Sequence, residues 1–322
     1  MKKLDPKNQI SVTKDTISQI LKSFAIFDYT FKTVSEGISN TSLIIETQDT
    51  KYVLRIYAVD RKDDSDIIFE IQFQDYLRAQ GIPIPLIYPN NLGDELTITE
   101  IEGKRWQSIL SEFIEGESIT PHPSLELMSE LATLQAKMHL LGINYAQTKK
   151  QPKKLWEDLH DELAGKIHNH PISKDKKIVD FIERVKSYRY LLSPKLPHGY
   201  NHLDIDFDGN VITKDNKING IVDFEDVQYS PVIVCLGFTL WNILNDQGLE
   251  AMRYYLKEYE KLRPLNKEEY EVLPHAIFFR NYAIGMIRLL LWEDTTAMSD
   301  FEDILRLEKE IHKIEIAGLQ QV

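Results

Sequence analysis

Hydrophobic positions along this chain follow two rhythms, and the change falls near residue 116. Residues 14–24 open with helical spacing: Ile17, Ile20, Leu21 and Phe24 share one face. Three strand-like runs follow at 26–34, 42–47 and 52–57, joined by polar connectors at 35–41 and 48–51. A second helix is expected over 64–79, with Ile67, Ile68, Ile71, Phe73 and Leu77 as its apolar set. Gly81 stands where a helix-ending glycine belongs, and Pro83 and Pro85 keep the helix from resuming. Two more strand-like runs, 96–101 and 109–114, precede a turn at Glu115–Ser118. From residue 123 the spacing is helical, over 125–141, 155–170, 174–192, 232–245, 248–262, 267–291 and 299–316. One segment interrupts it. Val211–Ile212–Thr213 and Gly220–Ile221–Val222 flank a polar turn at 214–219, the pattern of a β-hairpin. The chain therefore reads as α+β. A small, mostly antiparallel sheet with one long helix occupies residues 1–114, and a larger, mainly helical part carrying the hairpin occupies 115–322.

The hairpin matters for the residues at its ends. His202, Asp204, Asp206, Asp208 and Asn210 fall within nine positions before it, and Asp223-Phe224-Glu225-Asp226 follows it directly. A hairpin brings its two ends together, so Asn210 and Asp223 are expected side by side. An amide oxygen beside a carboxylate is hard-oxygen chemistry that suits Mg²⁺. Asp204, just upstream, is then placed to orient or deprotonate a hydroxyl. The bland reading makes Asn210 and Asp223 a pair of turn residues. The connector at 35–41 is small and polar, with Gly37 in it. Its backbone amides could cradle a phosphate, or it is an ordinary turn.

Composition narrows the class. With 322 residues, 43% apolar and 27% charged, the chain is an ordinary globular protein large enough for two lobes. Fifty acidic against 38 basic residues give a net charge of −12, which argues against nucleic acid or an anionic membrane as partner. The single Cys235 excludes an internal disulfide framework and a cysteine-rich zinc site, and fits a reducing cytoplasm. No apolar segment follows the basic start, so no signal peptide is expected. The run at 231–244 is too short for a membrane span and reads as a core helix. The oligomeric state is open.

A β-rich lobe followed by a helical lobe with a site-bearing hairpin is a kinase-like order. The chain resembles the aminoglycoside phosphotransferase / choline kinase family, the small-molecule branch of the bilobal protein-kinase-like fold, which includes homoserine and other amino-alcohol kinases. His202-Leu203-Asp204 stands where that family has H-G-D, Asn210 where it has its metal-binding Asn, and Asp223-Phe224 where it has the metal-binding D-F. The resemblance implies that Asp204 contacts the acceptor hydroxyl, and that Asn210 and Asp223 hold Mg²⁺ on ATP phosphates. Gly37, Ser39 and Asn40 match the phosphate-covering loop. Arg55 takes the place of the third-strand lysine, with Glu70 as its expected ion-pair partner, and Glu112-Phe113-Ile114 matches the hinge that meets adenine. His139 matches a position that packs near the catalytic loop.

Three departures stand out. Leu203 replaces glycine, Asp204 and Asn210 are one residue too far apart, and Cys235-Leu236-Gly237 lacks the carboxylate that anchors the catalytic loop elsewhere. Asp206 is accordingly a rival to Asp204. The loop must be anchored differently, or the chain is a nucleotide-binding pseudokinase without turnover. His202 reads as a structural hydrogen-bonding group. Asp206, Glu225 and Asp226 would make the acceptor site acidic, and Trp241 is the tryptophan chosen to line it. The function implied is ATP-dependent phosphorylation of a small-molecule hydroxyl, on a cationic amino alcohol or aminoglycoside, or alternatively on homoserine.

Overall fold

The computed structural model describes residues 12–36, 40–57, 62–145, 195–205 and 209–291, with a few positions between 174 and 193. The helices expected at 155–170 and 299–316, and most of that at 174–192, lie outside the described residues, as do Gly37, Ser39 and Asp206. The chain forms two compact units. The first runs to Gly116 and also takes in Asn219–Glu225; the second holds the rest of the described residues.

In the first unit, helix α1 (Lys14–Lys22) is capped by the Thr13 hydroxyl, which accepts the Thr16 N–H at 3.1 Å. Strands β1 (Thr30–Glu36), β2 (Asn40–Glu46) and β3 (Lys51–Tyr57) precede helix α2 (Asp64–Ala79), and β4 (Ile87–Tyr88), β5 (Thr97–Ile101) and β6 (Lys104–Glu112) follow it. They form one antiparallel sheet in the order β1-β2-β3-β6-β4, with β5 paired to β6. Successive side chains of a strand point to opposite faces. Leu54 and Ile56 of β3 join Ile17, Ile20 and Leu21 of α1 in one core cluster. Tyr57 joins Ile67 and Ile71 of α2 in another, so Arg55 shares α2's side of the sheet. Gly81 has the left-handed backbone (φ 77°) expected beyond α2.

Strand β6 begins at Lys104, five residues before the expected run. Glu102 and Gly103 are both left-handed (φ 53° and 72°), the two-residue turn that matches strand twist. The charged Lys104 and Arg105 concealed the strand from a search for apolar alternation.

The second unit holds β7 (Glu117–Ser118), α3 (Leu125–Asn144), β8 (His198–Asn201) and β9 (Val211–Lys214). Strand β10 (Lys217–Ile221) starts in this unit and runs into the first at Asn219. Its turn from β9 is only Asp215-Asn216, both left-handed, rather than the six residues expected. Then come one 3-10 turn at Phe224–Asp226, β11 (Gln228–Pro231), and helices α4 (Val232–Gln247), α5 (Leu249–Glu260) and α6 (Lys267–Leu291). β8 pairs with β11, two short strands that the spacing did not reveal. α4 and α6 touch through Gly237, where a Cβ would come within 2.4 Å of the Ala276 carbonyl. Among the described residues no helix is long and apolar enough to cross a membrane.

Candidate active site

In the first unit, β3 delivers Arg55 toward the chain that leaves β10. Arg55 Nη1 pairs with Asp223 Oδ1 at 2.9 Å. Burial opposes the guanidinium's charge, but Asp223, Tyr57, Glu70 and Glu225 outweigh it and push the pKa further up. Asp223 itself has a left-handed backbone (φ 65°), rare for a residue with a Cβ. Asn40, at the start of β2, donates its amide N–H to the Glu225 carboxylate.

Glu70 of α2 does not make the ion pair expected with Arg55. Its side chain is 3% exposed and has two other partners. Lys62 Nζ donates to Oε2 at 3.0 Å, and the Tyr57 hydroxyl donates to Oε1 at 3.1 Å. Burial and then Glu70 push the Tyr57 pKa well up, so it stays a donor. Lys62 also donates to the Glu225 carbonyl. Sequence reasoning passed over Lys62 because it lies outside any apolar period, in the polar link before α2.

At the end of β6, the Glu112 N–H donates to the Leu86 carbonyl at 2.8 Å, and the Glu112 carboxylate accepts the Leu86 N–H at 3.2 Å. That main-chain donor is committed within the sheet. Lys51 Nζ lies 5.6 Å from the Phe113 ring centroid, and Ile114 packs against Gly220, where a Cβ would meet its Cγ2 at 2.8 Å.

The second unit holds the loop after β8. His202 is buried, and its Nδ1 accepts the Asp204 N–H at 3.3 Å. Asn210 Nδ2 donates to Asp204 twice, to the carbonyl at 2.8 Å and to Oδ2 at 3.0 Å. That fixes the amide so that its oxygen is the atom left for a hard cation. Leu203 keeps a left-handed backbone (φ 65°) while its side chain is buried, so the residue in the family's glycine position retains a glycine-like conformation.

The loop is anchored by uncharged groups. Gln135 Nε2 donates to the Cys235 sulfur at 3.9 Å. The Thr239 hydroxyl donates to the Ile205 carbonyl at 3.0 Å and accepts from Gln135 Nε2 at 2.7 Å. Tyr255 Oη donates to Gln135 Oε1 at 2.9 Å. Burial pushes the Cys235 thiol up to about 12, so it is neutral. None of Gln135, Thr239 and Tyr255 stood out in the sequence, since each sits on a helix's buried face where a polar residue reads as incidental.

Of the remaining expected residues, Asp226 lies in the second unit, at the end of the 3-10 turn. Trp241 is 5% exposed and stacks edge-to-face on Phe278 at 5.5 Å, in the packing of α4 on α6. His139 is buried on α3, its Nδ1 2.7 Å from Tyr259 Oη.

Fold and residues together define a small-molecule kinase. The model of the phosphotransferase enzyme family APH matches residues 30–272, and the chain belongs to that family. Homoserine kinase from Bartonella tribocorum (strain CIP 105476 / IBS 506) is 26% identical over 245 residues, 73% of this chain and 72% of the relative. The solved microcompartment-associated aminopropanol kinase has the same fold, with a TM-score of 0.75 at 17% identity over 93% of this chain and 98% of its own. An amicoumacin kinase solved with AMP-PNP and Ca²⁺ gives 0.74 at 18% identity, over 96% and 95%. The fold is thus protein-kinase-like, and ATP-type nucleotides are the family's phosphoryl donors.

Proposed function

We propose that this chain transfers the γ-phosphoryl group of ATP, with Mg²⁺, to a hydroxyl of a small amine-bearing alcohol. The observation that carries the reading is the Arg55–Asp223 pair at 2.9 Å, a phosphate-seeking cation held beside a hard carboxylate. Asp223 and the fixed amide oxygen of Asn210 are suited to Mg²⁺, which keeps most of its other ligands as waters and phosphate oxygens. The metal would offset charge on the phosphates. Arg55 holds phosphate oxygens, with Gly37, Ser39 and Asn40 covering them and Glu112–Ile114 meeting the base. Asp204, whose Oδ2 accepts from Asn210, orients the acceptor hydroxyl and takes its proton; Asp206 is the rival for this role. Phosphoryl transfer asks mainly for such positioning.

For the acceptor, Asp206, Glu225 and Asp226 supply negative charge toward an ammonium group, although the Glu225 carboxylate also holds Asn40. Homoserine is the first acceptor to test, because homoserine kinases are relatives across most of this chain. An aminopropanol, choline and an aminoglycoside complete the panel. The test is a coupled ADP-release assay over these four, with Mg·ATP. Turnover with at least one acceptor above the ATPase background supports the reading. Mg·ATP binding without turnover on any amine-bearing alcohol counts against it.

A further inference from the structure

We propose that Lys62, rather than the third-strand cation, is the working partner of the α2 carboxylate Glu70, a positioning residue that ties α2 to the Phe224–Asp226 turn and leaves Arg55 for nucleotide phosphate. The division of labour rests on the kinase reading above; the Lys62–Glu70 pair itself does not.

The geometry is that of two cations with separate duties. A carboxylate as buried as Glu70 must be compensated. Lys62 Nζ at 3.0 Å and the Tyr57 hydroxyl at 3.1 Å occupy one Glu70 oxygen each. Arg55, on the same side of the sheet, goes to Asp223 at 2.9 Å. The Lys62 ammonium also donates to the Glu225 carbonyl, two residues after Asp223. Lys62 therefore fixes where Asp223 and Glu225 stand relative to α2 without touching the phosphates. A flexible ammonium with three donors suits this bridge between a carboxylate and a carbonyl. A guanidinium suits bidentate phosphate contact.

The test is a pair of double-mutant cycles in the full chain, reading melting temperature, Mg·ATP dissociation constant and, with the accepted acceptor, kcat. Lys62→Met and Glu70→Gln should each lower the melting temperature, and the double variant should recover most of the loss. Arg55→Met and Glu70→Gln should couple more weakly than the Lys62 pair. In kinetics, Lys62→Met should lower kcat on the order of ten- to a hundredfold through misplacement, with the nucleotide constant changed less than about threefold. Lys62→Arg should restore part of kcat, and Arg55→Met should weaken nucleotide binding on the order of tenfold. Stronger coupling of Glu70 to Arg55 than to Lys62 overturns the proposal, as does an unchanged melting temperature in Lys62→Met. Should the wild-type protein bind no Mg·ATP, the kinase reading fails while the melting-temperature cycles still decide the pair.

Discussion

Asp223 is engaged by a cation of its own unit, which gives its substitution two effects of opposite sign. On the proposed function, a phosphate and a metal compete with the Arg55 pair at 2.9 Å. Asp223→Asn removes the proposed metal ligand, so Mg·ATP turnover should fall on the order of a hundredfold or more. It also releases Arg55. The Asp223 side chain is 37% exposed and that of Arg55 15%, so the pair is partly screened. Such pairs contribute about 0.2–1 kcal/mol, which translates to at most about fivefold tighter binding of ATP in EDTA. Calorimetric titration in EDTA would show it; weaker binding there would mean Asp223 helps hold the nucleotide without metal. His139 carries a second residue-scale prediction. Burial, then the nearby Arg263, holds its pKa well below 6.5, while Tyr259 Oη lies 2.7 Å from Nδ1 and Arg263 pairs with Glu269 at 2.6 Å. The unfolded chain binds the proton near pH 6.5 and the folded one does not, so stability is full above that pH and declines below it. Between pH 6.5 and 5, denaturant titrations of the wild type should lose up to about 1.4 kcal/mol per pH unit more than those of His139→Gln. Equal slopes for the two proteins would refute this.

Elements were more legible than partners. The 64–79 and 267–291 helices are observed over the expected residues, because each shows its own apolar period. The short strands β8 and β11 escaped, having four residues each and little room for alternation. The positions Asp204, Asn210 and Asp223 could be located because turn chemistry and spacing mark them along the chain. What holds them could not, since spacing reports a residue's own element and not the one it meets. Helix α4 illustrates this. Its Cys235-Leu236-Gly237 has no carboxylate, yet one turn on Thr239 holds the Ile205 carbonyl at 3.0 Å, steadied by Gln135 of α3 and Tyr255 of α5. Thr239→Val keeps the shape but leaves the Ile205 carbonyl without the hydroxyl that donates to it, and the Gln135 amide nitrogen with the Cys235 sulfur at 3.9 Å. It should cost about 1–3 kcal/mol of stability, read by urea titration. It should also lower kcat more than it raises KM for ATP, while Thr239→Ser stays near wild type. A wild-type kcat in a folded Thr239→Val protein would show that Asp204 is positioned without this relay.

At the scale of the whole molecule, the first unit is not one stretch of chain. It takes its last segment, Asn219–Glu225, from more than a hundred residues beyond Gly116. Beside the Lys62 and Asn40 bonds to Glu225, three contacts describe what that segment brings. Asn219 Nδ2 donates to the Glu115 carbonyl at 2.7 Å, the Ile221 N–H donates to the Pro83 carbonyl at 2.8 Å, and Asp223 reaches Arg55. Gly220 lies against Ile114, too close for any side chain there. A fragment ending at Gly116 loses all of these. Because Asn219 lies beside Glu115, a short Gly/Ser linker from Gly116 to Asn219 can return the segment in cis with a small closure cost. The fusion of 12–116 with 219–226 should therefore melt above 12–116 alone, followed by circular dichroism. Ile221→Pro, which deletes the N–H that Pro83 accepts, should remove much of the gain. Identical melting of fusion and fragment would mean that these contacts contribute nothing to the first unit's stability, and that the segment's place there is set by the rest of the chain.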